Sequence, residues 1–196
     1  MSRGIAIGFG TLLLTTGAAA VGGASYRKAI RGAEEAYTRV SAVSDAPPDR
    51  FHPDQVAGLP EIAQRFFRHA IAPGTPLYSA VELKMDGTFL LGEKSKYQTY
   101  SMSARQALRA PDQFVWLPRM RSGLISITGS DAYVQEKAWT RFWLFGLVPV
   151  AQVNTSPDLV RSAQFRAIVE SALWLPPSVL PKNHVEWQQV GKIRPN

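Results

Sequence analysis

Residues 131–181 decide the fold, and they read DAYVQEKAWTRFWLFGLVPVAQVNTSPDLVRSAQFRAIVESALWLPPSVLP. The first half, up to Ala151, is strand-like, with aromatic residues crowded into the segment WTRFWLF. The second half, from Asp158, predicts a helix with apolar side chains in nearly every direction. A helix of this kind is normally covered on most sides, so we expect a β-sheet to shelter it.

The composition predicts one folded domain behind an N-terminal leader. With 45% hydrophobic and 10% aromatic residues, the body of the chain is not expected to be disordered. The absence of cysteine excludes disulfides, thiolate metal sites and cysteine nucleophiles. The net charge of +7 is compatible with nucleic-acid binding, but the sequence contains no nucleic-acid-binding motif. We therefore expect no nucleic-acid partner.

The leader, from Gly4 to Tyr26, contains no charged residue and is 23 residues long, which suffices to cross a bilayer core of about 30 Å. We predict a membrane anchor at residues 1–26, with the lipid bilayer as the partner of residues 4–26. A cleavable signal peptide stays open as the alternative, because Ala18-Ala19-Ala20 resembles a cleavage site. The prediction is a single-pass protein of the cell membrane, and an extracytoplasmic body is favoured although the flanking charges leave its side open.

Residues 27–58 follow as a juxtamembrane helix and a proline-rich linker. The helix carries Arg27, Lys28 and Arg31, a basic cluster that suits anionic headgroups, so we expect a solvated stalk outside the core. The linker, from Asp45 to Pro53, contains three prolines and is predicted to be extended.

Residues 59–196 are predicted to form one α+β domain. Its first element is a helix from Leu59 to Ile71, docked through Phe66 and Phe67. From residue 77 the hydrophobic period changes to two, which indicates strands, and Asp86-Gly87 indicates a hairpin turn or a bulge. The remaining predicted strands are SKYQTYSMS, FVWLPRM, LISITG, AYVQEKAWTRFWLF and HVEWQQV (184–190), and antiparallel pairing is expected because no crossover helix separates the strands that precede residue 154.

Two polar residues interrupt the apolar helix. Arg166 and Glu170 are one turn apart, and they form either an (i, i+4) ion pair or a polar handle inside an apolar pocket. The aromatic residues near them are more typical of a core than of a ligand site. If the pocket exists, the candidate ligand-binding residues are Trp116, Trp139, Trp143, Arg166, Glu170 and Trp174.

Other chemistry finds little support in the pattern. His52, His69 and His184 are isolated, so no metal site is predicted. There is no phosphate-binding glycine loop and no G-x-S-x-G elbow. We therefore predict no cofactor and no catalytic residue.

Several segments in order resemble a bacterial family of uncharacterised proteins. They are LPEIAQRFFRHAIAPGTPLYSAVELKMDGTF, FVWLPRM, DAY, LFGLVPVA, the RSA…ES helix with W-L-P, and V-E-W. The chain is similar to the domain of unknown function 6544, or its close relative 6920, over Leu59 to Val190. The family has no established activity, so the resemblance implies no catalytic residue.

The resemblance also implies two departures. Family members continue with further strands after V-x-W, whereas this chain ends in GKIRPN, so we expect a product truncated at the C-terminus. Pro177 stands where the family usually has threonine. The order of elements is similar to that of the half-barrel of lipoprotein carriers, which implies a curved antiparallel sheet, here an incomplete half-barrel with the apolar helix embedded in it.

These features predict a membrane-anchored binding module that holds a lipid or another apolar ligand between sheet and helix. An enzyme is the first alternative, and it requires Arg121, Asp131, Arg166 and Glu170 to converge. A structural component of an envelope complex is the second alternative.

Overall fold

The computed structural model describes residues 3–44, 46–93 and 96–191, with the backbone alone for residues 3–19. Within them are helices α1 (Arg3–Ser41), α2 (Glu61–Ala70) and α3 (Pro157–Trp174). The strands are β1 (Ala80–Leu91), β2 (Gln98–Arg109), β3 (Gln113–Ser122), β4 (Ile125–Val134), β5 (Lys137–Leu144) and β6 (Val148–Val153). Short 3₁₀ helices occupy Pro53–Val56, Pro176–Val179 and Pro181–Asn183.

The six strands form one open antiparallel sheet in the order in which they occur along the chain. The predicted α+β class and antiparallel pairing are confirmed. Because residues directly opposite one another in paired strands share a face, the register assigns each side chain to one of two faces. Helix α1 packs on one face, which we call the α1 face, and helix α3 packs on the other, the α3 face.

Helix α1 is part of the core. Ala33, Ala36 and Val40 are almost fully buried against the middle strands, and Tyr37 lies beside them. The prediction of a solvated stalk for this segment was wrong. The four residues recur at the spacing of one helical face, whereas the charged residues that suggested a stalk lie mostly on the opposite face.

Helix α3 is covered on one side only. Ala163 and Ala167 pack against the sheet, and these small side chains allow the helix to lie close to it. On the outer side Phe165 and Leu173 are 70% and 69% exposed. The sheet does shelter α3, as predicted, but the expectation of a helix embedded on most sides was wrong. Apolar residues on every side of a helix do not determine which of those sides other elements cover.

The segment that follows α3 packs with α2 in a cluster outside the sheet. Trp187 lies 5.4 Å from Phe67 and 5.9 Å from Phe66 between ring centres. Its indole nitrogen donates a hydrogen bond to the Val179 carbonyl at 2.9 Å. The docking of α2 through these phenylalanines is confirmed. The strand predicted for residues 184–190 is not formed, and Val185 and Trp187 pack in this cluster instead of on the sheet.

Strand β1 is longer than the sequence predicted. Asp86 pairs with Ser103 and Gly87 with Met102 in a continuous ladder, so the predicted turn at Asp86-Gly87 was wrong. Pairing along all twelve residues of β1 outweighs the local turn preference of the two residues.

No helix in the described part of the chain is both long enough and apolar enough to span a membrane. The predicted anchor at residues 4–26 therefore finds no support there, and it falls mainly on residues whose side chains lie outside the description.

Candidate functional site

A group of polar side chains joins α3 to the sheet. The Arg166 guanidinium donates to the Asp131 carboxylate, and its Nε donates to Glu170 Oε1 at 2.7 Å. The Thr140 hydroxyl donates to Asp131 Oδ1 at 2.8 Å, and the Gln106 amide donates to Glu170 Oε2. We call these five residues the polar cluster.

The polar cluster carries one positive and two negative charges, and it connects α3 to β2, β4 and β5. Each of its four carboxylate oxygens accepts one hydrogen bond from within the cluster. The side chains of Arg166, Asp131 and Glu170 are 30%, 20% and 26% exposed. Since each oxygen has a second lone pair and the group is only partly buried, an entering hydrogen-bond donor can reach it.

Aromatic rings border the polar cluster. The guanidinium carbon of Arg166 lies 4.5 Å from the centre of the Phe114 ring and 5.4 Å from that of Trp116. Trp116 in turn lies 6.1 Å from Phe89 and 6.4 Å from Phe142. The cluster therefore ends at an aromatic surface formed by three strands.

The aromatic surface continues along the α3 face toward the turns that follow β1, β3 and β5. The register places Met85, Phe89, Trp116, Met120, Ile127 and Phe142 on this face. We call these six residues the apolar strip. Met120 is buried, and the other five residues are partly accessible. Of these six described residues, only Trp116 belongs to a hydrophobic cluster in which a helix packs against the sheet. The strip is thus an apolar sheet surface beside α3.

A tyrosine lies next to the polar cluster on the same face. Burial raises the pKa of Tyr133, and the nearby charges of Asp112 and Glu136 raise it further. The Tyr133 hydroxyl is therefore protonated at neutral pH and adds no charge to the site.

The structure brings together three of the six predicted ligand-binding residues, Trp116, Arg166 and Glu170. Trp139 and Trp143 lie on the α1 face, where the Trp139 indole nitrogen donates to Ser130 Oγ at 2.9 Å and Trp143 is 1% exposed. Trp174, the last residue of α3, is 54% exposed.

The convergence required for the enzyme alternative occurs only in part. Asp131, Arg166 and Glu170 meet in the polar cluster, whereas Arg121 faces the opposite side of the sheet.

Sequence reasoning missed Gln106 and Thr140 as members of the cluster. A signal for Thr140 exists, because Asp131 and Thr140 are paired across the hairpin that turns at Gln135-Glu136. Both turn residues have positive φ, but they lack the asparagine and glycine that usually mark such a turn. Gln106 comes from a strand distant in sequence, and only the sheet register places it here.

Few side chains at this site could bind a metal ion. Across residues 3–44, 46–93 and 96–191, no three histidine or carboxylate side chains gather at a spacing that suits a metal ion. The polar cluster offers two carboxylates, and both already bind Arg166.

Comparison with protein families identifies a match over residues 49–194, to the family of unknown function (DUF6544). The chain belongs to this family. The match covers both the polar cluster and the apolar strip, and it confirms the first of the two family resemblances predicted from the sequence. The comparisons with curated proteins and with solved structures give no match.

Proposed function

We propose that this member of DUF6544 is a membrane-attached binding module that holds a lipid acyl chain or another apolar ligand on the α3 face. The observation that carries the proposal is the apolar strip, a partly accessible apolar surface that ends at a polar cluster. Contiguous apolar surface next to a few convergent polar groups is the usual composition of a ligand site.

The position we propose differs from the one expected at first. Ala163 and Ala167 fill the contact between α3 and the sheet, so a ligand would lie beside α3 rather than beneath it. The rings of Phe89 on β1 and Phe142 on β5 lie 6.1 and 6.4 Å from the Trp116 ring on β3, so the three rings form a continuous surface across the sheet. An extended apolar chain can lie along this continuous surface.

The magnitude of apolar burial supports this type of ligand. Covering about 300 Å² of ligand surface at about 25 cal/mol per Å² is worth about 7 kcal/mol before the cost of immobilisation. An acyl chain supplies apolar area of this order, whereas a small polar ligand does not.

The charge of the polar cluster favours one kind of polar end group. With two carboxylates and one guanidinium, the cluster has one net negative charge and accepts hydrogen bonds. A hydroxyl or ammonium group is compatible with it, whereas a carboxylate or phosphate is repelled.

Membrane attachment remains part of the proposal. The uncharged run at residues 4–26 favours a single pass through the bilayer, and the basic residues after it suit anionic headgroups. The small, glycine-rich run also suits an exported protein, so the proposal places the domain on the extracytoplasmic side. A module at the membrane surface would have lipids at high local concentration.

Native mass spectrometry of the full chain, released from mild detergent, tests the proposal. We expect co-purified lipid on the protein, and at least tenfold less of it on the Trp116→Ala variant. Trp174→Ala is the matched control, because Trp174 lies outside the apolar strip and should not affect retention. Equal lipid occupancy in the two variants, or none in the parent chain, would contradict the proposal.

An enzyme is the second candidate, favoured by the convergence of Asp131, Arg166 and Glu170. Two carboxylates in a partly buried site suit general acid–base chemistry on a bound lipid. Turnover of lipid esters or glycosides that is lost in Asp131→Asn, while lipid retention persists, would support it. Absence of turnover by a lipid-loaded protein would exclude it for those substrates.

A further inference from the structure

One end of the sheet is formed by three hairpin turns. Because the strands run up and down in sequence order, the turns after β1, β3 and β5 lie at the same end. We call this end of the molecule the turn end. The turns after β2 and β4 lie at the opposite end.

The turn end carries exposed apolar side chains in all three hairpins. Leu124, in the middle turn, is 95% exposed, and Phe145, in the third, is 54% exposed. The other exposed members are Leu90, Tyr97, Leu147 and Val148. Single exposed apolar residues are common, but three neighbouring turns that all carry them form a patch that water solvates poorly.

The two hairpin turns at the opposite end lack this character. They lie at Pro111-Asp112 and at Gln135-Glu136. Neither turn presents a large apolar side chain. The hairpin turns at the two ends of the sheet therefore differ in apolar exposure, and those of the turn end are the ones that suit an apolar medium.

Basic residues lie just behind the turn end on the α1 face. Arg119 and Arg121 line adjoining grooves of about 330 and 340 Å³, which share Asp86, Ser103 and Arg119. Lys84 lines the first groove as well. Basic side chains thus outnumber the one acidic side chain in the grooves, and the surface suits anionic groups.

The distance between apolar and basic residues fits a bilayer interface. Arg121 pairs with Ser126 one rung before the end of the β3–β4 ladder, so it lies roughly 7 Å behind the turn that carries Leu124. The headgroup region of each leaflet is about 5–8 Å thick, and arginine side chains extend toward the headgroups from either side. With Leu124 at the level of the acyl chains, Arg121 is within reach of the lipid phosphates.

Helix α1 reaches the sheet at this same end. A Cβ added at Gly22 would collide with the Leu147 carbonyl oxygen, so helix and turn are in direct contact. One turn later, the Tyr26 hydroxyl accepts a hydrogen bond from Thr128 at 3.1 Å. The residues of α1 before Gly22, which belong to the proposed membrane anchor, therefore depart from the turn end and not from the opposite end.

We propose that the turn end docks onto an anionic bilayer surface, with Leu124 and Phe145 inserted among the lipids and Arg121 at the phosphates. The proposal rests on the membrane attachment stated above. It adds a second contact with the bilayer, and it orients the sheet so that the apolar strip opens toward the lipids.

Fluorescence of single-cysteine variants tests the docking directly, because the natural chain contains no cysteine. The full chain is reconstituted into vesicles of phosphatidylcholine with phosphatidylglycerol, and an environment-sensitive probe is attached at Leu124→Cys. Lys137→Cys is the matched control, an exposed position beside a turn of the opposite end. We expect brominated lipid to quench the probe at Leu124 several-fold more than the probe at Lys137.

Replacement of a basic residue is the second part of this test. Since each basic side chain near an anionic surface contributes about 1 kcal/mol, Arg121→Gln should lower the ratio of docked to undocked probe about fivefold. Purely zwitterionic vesicles should weaken docking in the same direction.

Two results would overturn the docking proposal. They are a Leu124 probe that stays in water although the protein floats with the vesicles, and a protein that does not float with vesicles at all. Neither result bears on the apolar strip, whose test is lipid retention. Loss of lipid retention in a protein whose Leu124 probe is quenched would contradict the proposed function and leave the docking in place.

Discussion

The guanidinium carbon of Arg166 on α3 lies 5.4 Å from the centre of the Trp116 ring on β3. This contact is the boundary between the polar cluster and the apolar strip. The same guanidinium binds Asp131 and Glu170, so one side chain both attaches α3 to the sheet and closes one end of the strip. The stability of the domain and the shape of its candidate site are therefore linked through Arg166.

Replacing Arg166 should destabilise the domain. Arg166→Met leaves two partly buried carboxylates without their cation, which should lower the free energy of unfolding by about 1–3 kcal/mol. Urea denaturation measures this change. Arg161→Met is the control, since the pair between Arg161 and Asp158 is 81% and 87% exposed and its loss should cost less than about 0.5 kcal/mol.

A double-mutant cycle separates the ion pair from the aromatic contacts of Arg166. Asp131→Asn combined with Arg166→Met should show a coupling free energy of about 1–2 kcal/mol. Additive effects would mean that the arginine stabilises the domain through Phe114 and Trp116 instead.

Glycines in α1 should respond in opposite directions. Gly22→Ala places a methyl group against the Leu147 carbonyl oxygen, so helix and turn must move apart at a cost of about 1–3 kcal/mol. Gly32→Ala meets nothing within 4 Å and should stabilise the helix by about 0.5–1 kcal/mol. Denaturation midpoints of both variants, in the same detergent, give the comparison. Equal effects would contradict the packing of α1 on the third hairpin turn.

Alkaline pH should weaken the contact between α1 and the sheet. Burial raises the pKa of Tyr37, the charge of Glu82 raises it further, and Arg105 opposes the shift. The folded state then binds more protons than the unfolded state above pH of about 10, so the free energy of unfolding is unaffected below that pH and falls as the pH rises through the folded pKa.

Stability measured between pH 9 and about pH 11 by denaturation tests this dependence. Tyr37→Phe should show a shallower fall than the parent chain. Tyr97→Phe, at a residue that is 50% exposed, is the control and should keep the parent slope. An unchanged slope in Tyr37→Phe would contradict the burial of this hydroxyl between helix and sheet.

The sequence predicts the strands and helices better than it predicts how they pack. Strict alternation around Val81 and Leu83 identified β1, and the capping residues before Asp158 identified α3. Long-range pairing determined the rest. Pairing with β2 keeps β1 extended through Asp86-Gly87. Pairing of β4 with β5 forms a hairpin at Gln135-Glu136, although these two residues are not typical of a hairpin turn.

The burial of α1 and α3 shows most clearly what the sequence does not predict. Helix α3 has apolar residues in nearly every direction, yet its large side chains Phe165 and Leu173 lie in solvent. Helix α1 contributes Ala36 and Val40, which are 1% exposed. Small residues allow a helix to approach a sheet closely, and the side chains of the facing strands determine how much of each helix is buried.

The candidate site was predictable in the same partial way. The ion pair between Arg166 and Glu170 follows from a spacing of four residues on a helix. The contribution of Gln106 requires the register of β2 against β3, and that of Thr140 requires the register of β4 against β5. Trp139 and Trp143 were wrongly grouped with Trp116 because the face of each strand was unknown.

The most direct test of the proposed function is photo-crosslinking of the full chain with a monoacylglycerol that carries a diazirine on its acyl chain. Peptide mapping should find the label on residues of the apolar strip, such as Phe89, Trp116 and Phe142, and a matched diazirine fatty acid should label them less because its carboxylate is repelled. Labelling confined to residues 4–26, or equal labelling of the α1 face, would contradict a lipid site beside α3.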